Sequence, residues 1–469
     1  METEIIVTGE KVARSLQDTA ASVAVTTAKR LEEEENIQSL QDIINRTANM
    51  SETYGSSGFT IRGIANRGVS GGGDAPLATI YLDGAALPDG IVGFGPTDTW
   101  DLAQVEIFRG PQSTLQGLNA LAGAIVLRSQ DPTFDWDAQA KVQLAEFDTR
   151  TFAFAGGGPL VPGELAFRVS AEKRDSDNFT HNVTRDEPEG PLDSTNLRGK
   201  LLWTPEALPG FEARLGYSHF KKEAGYSFTY SSTTAPDFYD DRVNYGDFPN
   251  SSKNNVDIVN LALDYAIAEG TTLSAVSNYS DVDLLRTYDG DNTPAPTSYG
   301  IAPYQYETFS QEVRLHHDAD WIKGLVGAYY YHRDQDTGSE SRTLVPTPAN
   351  QIALLLQGAG VPAAQASQFA GMYVAVLPNV PVQYAADMAM KVETMALFAD
   401  GRIELADQLS LLAGLRYDHE RNTVAVTQTS SFAGIYPNPA AFGPYAPLIA
   451  AVNQGVQGIV TCSLEMCPV

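Results

Sequence analysis

V-E-I-F-R-G-P-Q-S-T-L-Q-G-L-N-A-L-A-G-A-I-V-L-R-S, residues 105–129, decides how this chain is read. Val105-Glu106-Ile107-Phe108 mixes apolar and charged positions as a short strand does. Arg109-Gly110-Pro111 is a turn signal, because glycine admits unusual dihedrals and proline fixes one. Leu115, Leu118 and Leu121 lie three apart, the spacing of a helical turn. Ala122-Gly123-Ala124 carries little side-chain bulk and lets another backbone come close. Ile125-Val126-Leu127 closes the stretch as a second strand. Taken alone, these residues describe a strand–turn–strand piece of an α+β domain.

The 469 residues are more than one ordinary domain needs. Basic residues number 31 against 58 acidic ones, a formal net charge of −27. That balance argues against nucleic acid as a partner, since phosphates demand a basic face. Mean hydropathy is −0.19, and no apolar run is long enough for a membrane-spanning helix. A membrane β-barrel is not excluded, because its strands show only alternation. The 21 tyrosines and 19 phenylalanines would supply its aromatic girdles. Met1 is followed by Glu-Thr-Glu, not by a basic and then apolar leader, so the expectation is a removed leader or a late start. Cys462 and Cys467 stand five apart with no metal pattern around them; a small loop disulfide and two free thiols both fit.

Upstream of the signature, Ser22–Thr26 reads as a strand. The run Glu32–Glu35 reads as a solvated helix entry, favoured by the N-terminal dipole. Ile37, Leu40, Ile43 and Ile44 predict an amphipathic helix over 36–46. F-T-I-R-G-I (59–64) and L-A-T-I-Y-L-D-G (77–84) read as strands ending at glycines, with glycine-rich loops at 65–76 and 88–97. After Asp131-Pro132 the pattern becomes repeated alternation. Strands are predicted at 138–147, 150–157, 165–171, 195–205, 211–217, 255–267, 271–285, 304–317, 322–333, 390–405 and 409–417, about eleven in all. The connections 156–164 and 205–211 are short, whereas 223–253, 286–303 and 334–389 are long. Short turns at one end and long loops at the other are the pattern of an outer-membrane barrel rather than a soluble sandwich. Residues 350–385 look partly helical within one long loop.

The stretch 105–129 resembles the end of the plug domain of TonB-dependent outer-membrane receptors, a signature of the form V-E-x-x-R-G-P-Q-S-x-L-(Y)-G-x-N-A. T-E-I-I-V-T-G (3–9) resembles the TonB box, which an energy-transducing partner captures. F-S-Q-E-V-R-L (309–315) resembles a barrel strand of the family. The chain departs from the pattern at Gln116-Gly117, where relatives carry Tyr-Gly, and at Leu118, where they carry arginine. The resemblance implies a large antiparallel membrane β-barrel with an N-terminal α+β plug. The expected division is TonB box and linker at 1–14, plug at 15–132 and barrel at 133–469. The family's barrels have about twice the eleven strands read here, so the C-terminal strands are expected to be missing.

Capture would proceed by strand addition at Glu4, Ile5, Ile6, Val7, Thr8 and Gly9, with alternate side chains on opposite faces. Plug charges Arg62, Glu106 and Arg109 are expected to lock to a barrel glutamate, Glu312, with Glu393 a second candidate. Ligand contacts are expected at Asn66, Arg67, Asp74 and Phe94 of the plug and at loop tyrosines such as Tyr226 and Tyr230; Tyr239, Tyr245 and Tyr288 lie in or near the same loops. His316 and His317 are adjacent on a strand and point to opposite faces, so they do not make a metal site. Asp289-Gly290-Asp291-Asn292 lacks the twelfth-position glutamate of a calcium loop and reads as a hairpin tip. No G-x-S-x-G or H-E-x-x-H occurs, so there is no case for an enzyme and no cofactor is expected. The implied partners are TonB with its inner-membrane energising complex, outer-membrane lipid, and a scarce ligand for import across the outer membrane of a Gram-negative cell. A ferric siderophore is the default ligand; cobalamin, haem and oligosaccharide remain open. A passive porin-like or adhesin barrel and a soluble β-rich binding protein or extracellular enzyme are the rival classes.

Overall fold

The computed structural model of the chain describes residues 5–462, apart from 10, 12–13, 18, 20, 35, 54–57, 67–75, 89–90, 92–94, 113, 116–119, 226–241 and 407. The first part is built from short elements. A two-stranded hairpin pairs β1 (Ile6–Val7) with β2 (Arg14–Ser15). Then come β3 (Val23–Thr27), α1 (Ala28–Glu33), α2 (Leu40–Arg46), β4 (Met50–Thr53), β5 (Gly58–Ile61) and β6 (Ile64–Ala65). β7 (Ala78–Leu82), β8 (Ala85–Ala86), β9 (Leu102–Arg109) and β10 (Gly123–Ser129) complete it. One sheet has the order β3-β9-β10-β7-β8, and β4-β5-β6 forms another.

The signature strands are β9 and β10, antiparallel with Gly123 opposite Arg109. Gly123 has φ +156, and a Cβ there would lie 2.1 Å from the Phe108 carbonyl oxygen and 2.8 Å from Ile61. This is the close backbone approach that the small-residue run predicts. The helical turn expected from the leucine spacing falls largely on 116–119, outside the described residues. Asp83 and Gly84 both have positive φ (47° and 88°), the geometry of a tight two-residue hairpin turn between β7 and β8. Leu40, Ile43 and Ile44 are buried against this sheet, although α2 begins at Leu40 rather than at 36. The acidic run is placed differently from the expectation: Glu32 and Glu33 end α1 instead of opening a helix. Glu34 is tied there by Arg30 at 2.6 Å and Arg46 at 2.8 Å, which offset the unfavourable dipole.

The rest is one antiparallel sheet of eleven strands, each hydrogen-bonded to the next in sequence save where loop strands intervene. They are β11 (Asp137–Ala145), β12 (Thr149–Val161), β13 (Leu165–Ser176), β16 (Leu192–Trp203), β17 (Phe211–Gly225), β19 (Ser251–Ala268), β20 (Thr271–Asp289), β21 (Ser298–Ala319), β22 (Ile322–Pro346), β23 (Asn379–Ala406) and β24 (Leu409–Phe432). Three short loop strands, β14 (Thr180–Asn182), β15 (Glu187–Pro188) and β18 (Arg242–Asn244), form a separate small sheet among the long connections. All eleven expected strands are present, but most run longer. The loop expected over 334–389 shrinks to the segment between Pro346 and Asn379, and that over 286–303 to the segment between Asp289 and Ser298.

The outward rows explain the missed lengths. Near the short turns one row reads Leu273, Leu315, Val326, Ala399, Leu415 across five strands. Further along, the outward row reads Asp257, Asp281, Glu307, Asp334. Apolar alternation therefore stops where the strands leave the apolar band, while backbone pairing continues. In the long β22–β23 connection, α3 (Ala349–Gly358) and α4 (Ala363–Val376) appear as the composition predicted. They share a second apolar core with α5 (Ala446–Cys462), which follows β24. Tyr373 donates to Asn453 Oδ1 at 2.8 Å inside this helical cap.

The sheet wraps the first part of the chain, and ion pairs fix it there. Arg168 of β13 donates to Asp101 by Nε and Nη2 (3.0 and 2.6 Å) and to Asp137 by Nη1 (2.8 Å). Arg168 and Asp101 are 6% and 3% exposed. Arg198 donates to the Trp100 carbonyl at 2.7 Å, and Lys200 reaches Asp131 at 3.1 Å and Asp83 at 3.3 Å. Asn260 and Asn278 donate to the carbonyls of Asp83 and Gly84. Burial alone would raise the pKa of Asp131; Lys200 and Arg128 outweigh it and hold the carboxyl at about 2.

Gly123→Ala is expected to destabilise the inner domain by roughly 2–4 kcal/mol, because the added methyl meets backbone; calorimetry in detergent measures this. Asp131 has a folded pKa below its unfolded one, so its contribution, about 2 kcal/mol, is present above pH ~4 and is lost as pH falls towards 2. Asp131→Asn is expected to melt lower at pH 6 and to lose less on acidification than the wild type.

Candidate functional site

The N-terminal hairpin lies against β9 and the barrel wall together. Ile5 O accepts from Leu16 N at 2.9 Å, so Ile5 faces β2. By strand alternation the Ile6 carbonyl and the Thr8 amide turn the other way, while the Thr8 carbonyl accepts from Lys11 N in the turn. There Gln104 Nε2 donates to Ile6 O at 2.9 Å. Thr8 N and Thr8 Oγ1 donate to Glu106 Oε1 at 2.9 and 2.7 Å, and Gly9 N donates to Glu106 Oε2 at 2.8 Å. Glu106 is 1% exposed, so its charge is stabilised by these donors rather than by water.

Two ion pairs tie the same hairpin to the barrel. Lys11 Nζ lies 2.5 Å from Glu312 Oε2, and Arg14 lies 3.6 Å from Asp400. Burial pushes the Lys11 ammonium below the ordinary lysine value, while Glu312 pulls it back up. Lys11 also lies 5.1 Å from the centre of the Phe398 ring. Beside this junction is a cavity of about 500 Å³, walled by Thr8, Lys11, Tyr81 and Asp83 on one side and by Glu312 and Arg314 on the other.

The expected lock does not form between the residues named for it. Glu312 is held by Lys11 and by Arg314 (3.0 Å), while Arg109 donates to the Ala48 carbonyl at 3.2 Å. Glu106 turns to the hairpin, not to the barrel. Arg62 occupies an exposed hairpin tip with φ +53. Glu393 alternates onto the outer face of β23, half exposed, and so cannot reach the inner domain. Asn66 is 1% exposed and its Oδ1 accepts from Phe59 N at 3.0 Å, so its amide braces β5. Glu4, Arg67, Asp74, Phe94, Tyr226, Tyr230 and Tyr239 lie outside the described residues. Tyr245 is partly exposed in its loop. His316 lines the cavity while its neighbour His317 meets Thr271, on opposite faces as expected. Asp289 accepts from the Asp291 and Asn292 amides, a hairpin tip.

Sequence reasoning missed Asp101, Arg168, Lys200, Lys11 and Gln104. A usable signal was present: in a chain of net charge −27, Arg168, Arg198 and Lys200 recur on alternating positions of neighbouring strands. Those bases need acidic partners inside the sheet.

Residues 15–124 match the TonB-dependent Receptor Plug Domain, and residues 203–447, more than half of the chain, match the TonB dependent receptor-like β-barrel. The ferrioxamine receptor of Yersinia enterocolitica is 23% identical over 240 residues, covering 51% of this chain and 32% of that protein. The ferrioxamine B receptor of Salmonella typhimurium (strain SL1344) is 29% identical over 164 residues, 34% of this chain and 23% of the relative. The chain thus spans well under two thirds of the curated relatives it matches. The crystal structure of the ferric yersiniabactin uptake receptor FyuA from Yersinia pestis superimposes with a TM-score of 0.70 at 18% identity, covering 90% of this chain and 60% of that one. The ferripyoverdine receptor of the Pseudomonas aeruginosa outer membrane gives 0.61 at 14% identity, over 92% and 57%. A small α+β domain, ion-paired inside an antiparallel barrel sheet, is the architecture of a class of receptors and transporters rather than of enzymes, and with both family domains matched in order the chain belongs to the TonB-dependent receptors.

Proposed function

We propose that this protein imports a ferric siderophore across the outer membrane of a Gram-negative cell, driven by TonB and its inner-membrane energising complex. The observation that carries the reading is the docked N-terminal hairpin: residues 5–9, which resemble a TonB box, rest on Glu106 at the junction of plug and barrel. A partner that captures this segment would pull on the plug domain directly. The ion pair Lys11–Glu312 stands between that pull and the barrel wall. Buried pairs of this kind make poor stabilisers but good switches, because separating them leaves an uncompensated charge. The 500 Å³ cavity beside the hairpin gives the plug space into which to rearrange.

The siderophore assignment is supported by the names of the relatives, ferrioxamine receptors, and by the ferric-ligand receptors among the structural neighbours. Outer-membrane lipid meets the apolar outward rows of the barrel, and carboxylates mark where the strands stand clear of it. The barrel and plug contribute binding, enclosure and release; no bond of the ligand needs to be made or broken.

Uptake of labelled ferrioxamine B, other ferric siderophores, cobalamin and oligosaccharides is compared in wild type and Ile6→Pro, in a host starved of iron. Proline removes the Ile6 N–H and blocks strand addition. Uptake of a ferric siderophore is expected to fall at least tenfold in the mutant while surface binding stays at the wild-type level. Uptake unaffected by the proline would point to a passive barrel, and proline-sensitive uptake of cobalamin or an oligosaccharide alone would replace the siderophore.

A further inference from the structure

The strand β1 has two edges, and both are occupied. β2 takes the edge that carries Ile5 and Val7. The other edge presents Ile6 O and Thr8 N, and these meet Gln104 Nε2 and Glu106 Oε1. Gln104 and Glu106 are two residues apart on β9, so their side chains leave the same face with the spacing of alternate strand residues. One donates to a carbonyl and the other accepts from an amide, which is what a neighbouring strand does for an exposed edge. Gln104 also donates to Glu106 at 2.8 Å, which holds the two side chains as a unit. Glu106 extends the contact with Thr8 Oγ1 and Gly9 N. Strand addition needs a free row of backbone donors and acceptors. In this structure one acceptor and one donor of that row, Ile6 O and Thr8 N, are already taken by side chains.

We propose that Gln104 and Glu106 are a built-in stand-in for the partner's strand: the partner docks along the Ile6–Thr8 edge and can do so only by displacing these two side chains. The inference rests on residues 5–9 being a docking strand for TonB, and it adds the edge used and the groups that guard it. β2 remains in place on the far edge, so capture adds a strand to the hairpin without having to unpair it. The strength of the guard sets how often the segment is open: two or more bonds to a buried carboxylate keep it closed most of the time.

The full-length receptor in detergent is compared as wild type, Glu106→Ala, Gln104→Ala and Ile6→Pro. Two quantities are measured: hydrogen exchange of the peptide spanning residues 5–16, and affinity for the periplasmic domain of TonB. Glu106→Ala is expected to speed exchange at Thr8 and Gly9 by about ten- to a hundredfold and to tighten partner binding by about tenfold. Gln104→Ala, at a half-buried position, is expected to move both quantities the same way by less, so a collapsed plug in Glu106→Ala does not decide the matter. Unchanged exchange in both variants overturns the guard. Faster exchange without tighter binding, while Ile6→Pro abolishes binding, overturns the stand-in role and leaves the coupling reading intact. Absence of partner binding in every protein, wild type included, overturns the docking-strand reading itself and the stand-in with it.

Discussion

Arg168 and Asp101 are both almost wholly removed from water, and either charge would be costly to bury without the other. Their fork-like contact sets where the plug sits within the sheet. Asp101 takes a positive φ of 55° just ahead of β9, which turns its carboxylate outward to the barrel wall. β9 then carries the signature through Glu106, and β10 returns to Asp131 and Lys200. One end of the plug sheet is therefore bolted to β13 and β16, where the charges are paired in several directions. The N-terminal hairpin, by contrast, is joined to the barrel through Lys11 and Arg14. The cavity lies between these two attachments, lined by Asp83, Asp131 and Lys200 as well as by Lys11 and Glu312.

The signs of the charges follow from the composition. A chain this acidic has few bases, and several of them are spent inside the barrel against plug aspartates. Other carboxylates, such as Asp257, Asp281 and Glu307, face outward above the apolar band. Buried pairs give little net stability compared with apolar packing, since both partners must first shed water. Their value here is geometric: each pair is satisfied in one position of the plug and in few others.

The architecture was legible because its signals are local. Alternation over Leu165–Ala171 or Phe211–Tyr217 marks a strand whatever surrounds it, and the 105–129 stretch marks the plug. The upper halves of β22 and β23 were not legible, because Asp334, Asp336 and Glu340 replace the lipid-facing apolar residues while the backbone still pairs. The pairing of charges was not legible either. Glu312 was expected to meet Arg109, but its partner is Lys11, three hundred residues upstream. Periodicity fixes which face a side chain takes; it does not say what stands opposite. Glu393 illustrates the same limit in reverse, since one step of alternation puts it on the outer face.

The helical cap joins two stretches, residues 343–386 and 422–464, that contain no aspartate, glutamate, lysine or arginine. Its cohesion comes from Ile352, Leu356, Tyr373, Ile449 and Val452 packing together, with one buried tyrosine–asparagine bond. Such a body carries no carboxylate or base to titrate, whereas the plug meets the barrel through ion pairs as well as through a shared apolar core. It also binds two successive connections into a single part. Acid that protonated the paired carboxylates below would find none to protonate in this roof, so the rim and the floor of the receptor answer differently to pH.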